Sequence, residues 1–193
     1  VIYFLPIVFS PVAVAIIWEN LFAPYYGGVA LTLHVLSPTL NANWLATPGQ
    51  ALYVVIGVTA WVYLPFQTIL FLAGARQIPA DLYDAAAIDG ARRLGTFFNI
   101  TVPQLRYTIV TSSILVLVGS LLYFELFLVM TNGGPAGTTT TLSLAMYTRG
   151  FTATEEGYGS AIATVLVVLG LLLSLLAVRV SGFGRMRSQG EGA

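Results

Sequence analysis

Long apolar runs, without the three-and-four spacing of a surface helix, dominate this chain. Ala51–Ala75, Ile109–Met130 and Ala161–Val178 contain no basic residue, and Glu125 is the only acid among them. Crossing about 30 Å of hydrocarbon takes roughly 20 apolar residues in a helix, and each run meets that need. A fourth stretch, Val1–Trp18, is free of charge but carries Pro6 and Pro11. The pattern predicts four membrane helices, over Val1–Trp18, Ala51–Ala75, Ile109–Met130 and Ser160–Val178. Pro65 is expected to kink the second and to free backbone groups there. Barrel strands are excluded, because they alternate apolar and polar positions, whereas LVVLGLLLSLLAV near the C-terminus is apolar all round.

Composition sharpens the picture. The 193 residues are 57% hydrophobic and 8% charged, against about 25% charged in soluble domains. Too little polar surface remains to solvate a fold in water. The expected class is an all-α integral membrane protein, a single transmembrane domain over residues 1–193. Without cysteine there is neither a disulfide frame nor a thiolate metal site. Every basic residue is Arg, so the lysine of a Walker A loop is missing and the chain hydrolyses no nucleotide by that route. The single histidine, His34, and the absence of paired aspartates within the spans argue against a membrane-embedded enzyme. His34 is expected to be inert. Val1 follows no charged signal-peptide region, so the chain is expected to begin inside or just before a membrane helix.

Arginine placement sets the orientation. Arg76, Arg92, Arg93 and Arg106 lie between the second and third spans, and Arg179, Arg185 and Arg187 follow the fourth. The two remaining loops, about 19–50 and 131–159, share only Arg149. By the positive-inside rule the connector, about 76–106, and the C-terminus are expected in the cytoplasm. Trp18, Tyr25, Tyr26 and Trp44 then fall at the outer interface. Pro24, Gly27, Gly28, Pro38, Pro48 and Gly133-Gly134-Pro135 mark turns in the outer loops.

The connector DLYDAAAIDGARRLGTFFNITVPQL, Asp81–Leu105, holds five of the sixteen formal charges. Pro79 suits the first helical turn, and Asp81 and Asp84 favour its dipole. Ala85, Ala86 and Ala87 propagate the helix, and Gly90 stops it. A second short helix is expected over Ala91–Asn99, ending before Pro103, with Leu94, Phe97 and Phe98 on one face. A hairpin lying on the bilayer and a docking element for a soluble partner share this pattern. The residues alone leave both readings open. Arg92 and Arg93 likewise serve either topology or partner contact.

The same stretch resembles the EAA loop of ABC importer permeases, E-A-A-x(3)-G-x(9)-I-x-L-P. Asp84-Ala85-Ala86 stand for the acidic start, Gly90 for the glycine, and Ile100-Thr101-Val102-Pro103 for the end. Asp replaces Glu and Val102 replaces Leu, both with the chemistry kept. Phe71-Leu72-Ala73-Gly74, Ile78-Pro79, Ile88–Ala91, TNGGPAGTTTTL at Thr131–Leu142, Tyr147, Phe151 and Gly157–Ala161 are similar to the carbohydrate-importer branch, the maltose-permease-like family. Such permeases usually carry two further N-terminal helices.

The resemblance implies a multi-pass permease of a prokaryotic cytoplasmic (inner) membrane that carries a sugar or related solute and binds no cofactor. Its implied partners are a cytoplasmic ABC ATPase dimer, a second and related permease subunit, an extracytoplasmic substrate-binding protein and membrane lipid, with no nucleic acid. Asp84, Ala85, Ala86, Asp89, Gly90, Leu94, Phe97, Phe98 and Pro103 would couple to the ATPase. Asn132, Gly133, Gly134, Pro135 and Thr139 are candidates to meet the binding protein, on a loop with flexible glycines that also reads as a plain connection. Tyr63, Gln67, Ser112, Ser113, Ser120, Tyr123 and Glu125 are candidates to line the pathway, although serines in membrane helices serve packing as often. The alternative is a secondary transporter or channel without an ATPase. It would call for several intramembrane ionisable groups or an inverted repeat, and the sequence offers one acid and no repeat.

Overall fold

In a computed structural model the described residues, 2–36 and 43–181, are mostly helical, with no strand among them. Val1, Pro38, Arg185 and Arg187 lie outside the described residues, as does the side chain of His34. In chain order the α-helices are α1 Leu5–Val8, α2 Pro11–Leu21, α3 Gly28–Leu36, α4 Gln50–Ala75, α5 Ala80–Ile88 and α6 Arg93–Thr96. They continue with α7 Val102–Gln104, α8 Arg106–Leu122, α9 Glu125–Thr131, α10 Leu142–Tyr147 and α11 Glu156–Ser181. Two π-helical turns, Phe97–Thr101 and Thr148–Thr152, are inserted after α6 and α10.

Two of the four predicted spans hold as drawn. Gln50–Ala75 and Glu156–Arg179 are long and apolar enough to cross a membrane. Pro65 is buried within α4, which continues past it.

The other two are broken, and local chemistry explains the first break. Proline biases the residue before it away from helical geometry and lacks the N–H that would continue the ladder. Ser10 accordingly turns to φ −56°, ψ 137°, and the run expected over Val1–Trp18 restarts as α2 at Pro11. The span expected over Ile109–Met130 starts earlier, at Arg106, and breaks at Tyr123–Phe124, where Phe124 leaves helical geometry (φ −136°, ψ −23°). Preceded by Arg93–Gln104 at a 67° bend, α8 makes a third candidate span.

The chain divides into two compact units, Val1–Pro65 with Ser120–Val168 and Phe66–Gly119 with Leu169–Ala193. The first has a core of Val14 and Ala15 from α2, Val55, Val58 and Val62 from α4, Leu126, Phe127 and Met130 from α9, and Leu144 from α10. The 55–58–62 spacing is one helix face. Trp18 and Phe22 stack at 5.6 Å, and Trp61 meets Trp18 edge-on at 5.3 Å. In the second unit, Ser112 on α8 donates a 2.6 Å hydrogen bond to Gln67 Oε1 on α4.

Candidate functional site

The connector folds as two helical limbs around a glycine elbow. Pro79 is the N-cap of α5 rather than its first helical residue, with ψ 135°. Its missing N–H costs nothing there, and Asp81 brings negative charge to the first turn. At the other end Ala91 N–H reaches Ala86 O at 2.9 Å and Gly90 N–H reaches Ala87 O at 3.1 Å. This crossed pair is a Schellman motif, which needs a left-handed residue. Gly90 supplies it at φ +71°. An L-residue there would be strained although no neighbouring atom crowds it.

The second limb runs further than expected. Instead of stopping before Pro103, it passes from α6 through the π-turn Phe97–Thr101 into α7. Val102 N–H bonds Phe97 O, five residues back. The wider turn shifts the hydrogen-bond register, so Pro103 enters as an early residue of a new helical turn where no N–H is required.

Of the residues 80–104 only Ala86 is buried. Asp84, Ala85, Asp89 and Pro103 are exposed. Leu94 is 73% exposed, Phe98 64% and Phe97 47%, with the two rings edge to face at 5.1 Å. A continuous apolar knob on so open an element is a surface waiting for cover, by protein or by lipid. Tyr83 Oη and Thr101 Oγ1, to which the sequence reading gave no role, meet at 3.1 Å across the limbs. They lie 18 positions apart on different helices, so no local spacing could have revealed the pair.

The candidate pathway residues separate into two groups. In the first unit Tyr63 and Tyr123 stack with centroids 4.4 Å apart. Glu125, half-buried beside them, opens α9, where the helix dipole favours its charge. The helix break frees the Tyr123 carbonyl, and Ser143 Oγ on α10 donates to it at 3.1 Å. Ser143 is buried and was not among the sequence candidates. In the second unit Gln67 is paired with the buried Ser112. Ser113, in the same unit, is exposed, and its Oγ donates to its own helix at Ile109 O; Ser120, in the first unit, is also exposed.

The loop after α9 is far more tightly built than its glycines suggested. Asn132, Gly133, Ala136 and Gly137 all have positive φ, and the Gly134–Pro135 bond is cis. Thr139 Oγ1 donates to Gly134 O at 2.7 Å and lies 2.7 Å from Thr131 Oγ1; Thr138 Oγ1 donates to Pro135 O at 2.8 Å. The buried Thr139 acts as an internal strut. Thr139, expected on the docking surface, is 1% exposed. Asn132, Gly134 and Pro135 do reach a cleft of about 640 Å³, shared with Glu19, Asn20 and Asn43. Arg149, held by Glu155 at 3.1 Å, is exposed, and such a pair contributes little stability.

Residues 1–182 match the family described as binding-protein-dependent transport system inner membrane component. The trehalose/maltose transport system permease protein MalF of Thermococcus litoralis is 36% identical over 168 residues, which are 87% of this chain and 56% of that protein. A crystal structure of a bacterial ABC transporter involved in the import of the acidic polysaccharide alginate has the same fold, with a TM-score of 0.84 at 24% identity, over 95% of this chain and 64% of that one. A second crystal structure, of a bacterial alginate ABC transporter in complex with an alginate pentasaccharide-bound periplasmic protein, matches with a TM-score of 0.79 at 25% identity, over 92% and 62%. The chain thus spans little more than half the length of the Thermococcus protein.

Proposed function

This chain belongs to the family of binding-protein-dependent transport system inner membrane components, and on that premise we propose that it builds the transmembrane pathway of an ATP-driven sugar importer. ATP is hydrolysed on a separate cytoplasmic subunit, because this chain has no lysine with which to build a Walker A loop. The connector seats α5 in a groove of that ATPase, a helix-in-groove contact. Closure of the ATPase dimer then moves the limb Arg93–Gln104, and with it α8, as a lever that alternates access to the pathway. A second, related permease subunit completes the pathway, and an extracytoplasmic binding protein delivers cargo to the cleft beside Asn132 and Pro135. Connector and C-terminus face the cytoplasm, in keeping with the arginine asymmetry.

The cargo is a saccharide, in line with the trehalose/maltose and alginate systems named for the similar proteins. The apolar runs Ala51–Ala75, Ile109–Met130 and Ala161–Val178 carry no basic residue, which disfavours a phosphate-bearing cargo held there.

The observation that carries this reading is the exposed Leu94–Phe97–Phe98 knob next to an elbow held by Gly90. Its test is retention of the ATPase by the full-length permease complex in detergent. Native protein is expected to hold the ATPase, while Leu94→Asp and Gly90→Pro release it. Equal retention by all three would remove the connector from the interface.

A further inference from the structure

The two limbs of the connector lack a common core. Only Ala86 is buried between Ala80 and Gln104, and a notch of about 290 Å³ separates the limbs, lined among others by Tyr83, Ala87, Ala91, Phe97 and Thr101. Packing therefore does not set the angle between them. The Schellman turn at Gly90 fixes one end. A single fixed point leaves the limbs free to pivot about it, and an elbow that pivots absorbs displacement instead of passing it on.

The second fixed point is the hydroxyl pair at the open end of the notch. Tyr83 lies in the first turn of α5, and Thr101 closes the π-turn of the other limb, with Oη and Oγ1 3.1 Å apart. Both side chains are half-buried, so water competes less for the bond than at an open surface. The π-turn matters here, since its extra residue per turn changes the direction in which Thr101 points relative to a regular helix.

We propose that Tyr83 and Thr101 are positioning residues for coupling: their hydroxyl pair pins α5 to the limb Arg93–Gln104, so that the connector moves as one body and displacement of α5 reaches α8. This rests on the coupling role proposed above. Neither residue needs to touch the ATPase or the cargo.

Two measurements test the pin and the coupling separately. Spin labels at Ala80 and Gln104, both exposed and both far from the Gly90 pivot, report the inter-limb distance in the full-length permease, in an otherwise cysteine-free complex. One narrow distance is expected for native protein. Tyr83→Phe and Thr101→Val each populate a second, wider one, shifting the ratio of the two about fivefold. The double variant goes no further than either single one, and Thr101→Ser restores the native distribution. In the assembled complex, Ser113→Cys labelling by a maleimide should depend on bound nucleotide. Tyr83→Phe is expected to retain the ATPase and its hydrolysis while losing that dependence, and Thr101→Ser is expected to keep it. An unchanged distance distribution in Tyr83→Phe overturns the pin, whatever the ATPase does. A lost pin with nucleotide-dependent labelling intact overturns its role in coupling. Failure of native protein to retain the ATPase removes the coupling reading alone, and the spin-label distances still decide the pin.

Discussion

Gly159 on α11 packs directly against Gly150 in the π-turn Thr148–Thr152: a methyl group on Gly159 would stand 2.6 Å from Gly150 Cα and 3.0 Å from its nitrogen. Those are backbone atoms, which cannot swing aside. Gly159→Ala is therefore expected to destabilise the protein by about 1–3 kcal/mol, the range for overpacking a close contact. The reverse substitution is mild. A methyl on Gly150 meets Gly159 Cα at 3.5 Å, an ordinary contact, so Gly150→Ala should unfold within a degree or two of native protein, about the effect of a few tenths of a kcal/mol. Thermal unfolding of both variants in detergent separates them.

Gly90 fails for a different reason. Nothing lies near its missing side chain, so the cost of a substitution is conformational and follows the residue's tolerance for φ +71°. Gly90→Asn should be mild, Gly90→Ala should cost about 1 kcal/mol, and a β-branched Gly90→Val more. ATPase retention ranked in that order supports a strained elbow. A ranking by side-chain volume would point to crowding in the partner's groove.

Ser112 and Gln67 join α8 to α4 through one 2.6 Å hydrogen bond. Hydrogen bonds between membrane helices average about 0.6 kcal/mol, with maxima near 1.7. Ser112 is buried, so Ser112→Ala strands the Gln67 oxygen and should fall in the upper half of that range. Adding Gln67→Leu should recover part of the loss. A double-mutant cycle with no coupling energy would refute the pairing.

Thr139 was expected to face a partner and is instead a strut. With its hydroxyl engaged by Gly134 O and Thr131 Oγ1, Thr139→Val keeps the shape and removes both contacts. Loss of satisfied buried bonds costs about 1–3 kcal/mol. The loop should open to limited proteolysis near Pro135 while the remainder of the chain stays protected. Thr138→Val, at an exposed position, should leave cleavage unchanged.

Part of this site was legible without coordinates because its signals are local. Three alanines followed by an aspartate and a glycine describe a helix and its stop, and Gly90 does take the left-handed position. Leu94, Phe97 and Phe98 stand out because apolar residues beside two arginines have no core of their own to enter. Pro103 misled, since a proline normally ends a helix, and here a π-turn changes the register so that it does not. The break at Tyr123–Phe124 had no local signal. It occurs in an apolar run, and the carbonyl it frees accepts a hydrogen bond from Ser143, twenty residues away.

Sequence by itself determined the class of protein, the length and charge of α4 and α11, and the elbow at Gly90. These depend on hydropathy, on charge and on the φ preference of single residues, all of which act within a few positions along the chain. Tertiary structure alone decided the break in the third run, the stack of Tyr63 on Tyr123, the bond from Ser112 to Gln67, the burial of Thr139 and the meeting of Tyr83 with Thr101. In an apolar solvent every helix face looks alike to lipid. Which faces meet is then settled by close packing and by the few polar atoms that must find partners, and those partners come from distant parts of the chain.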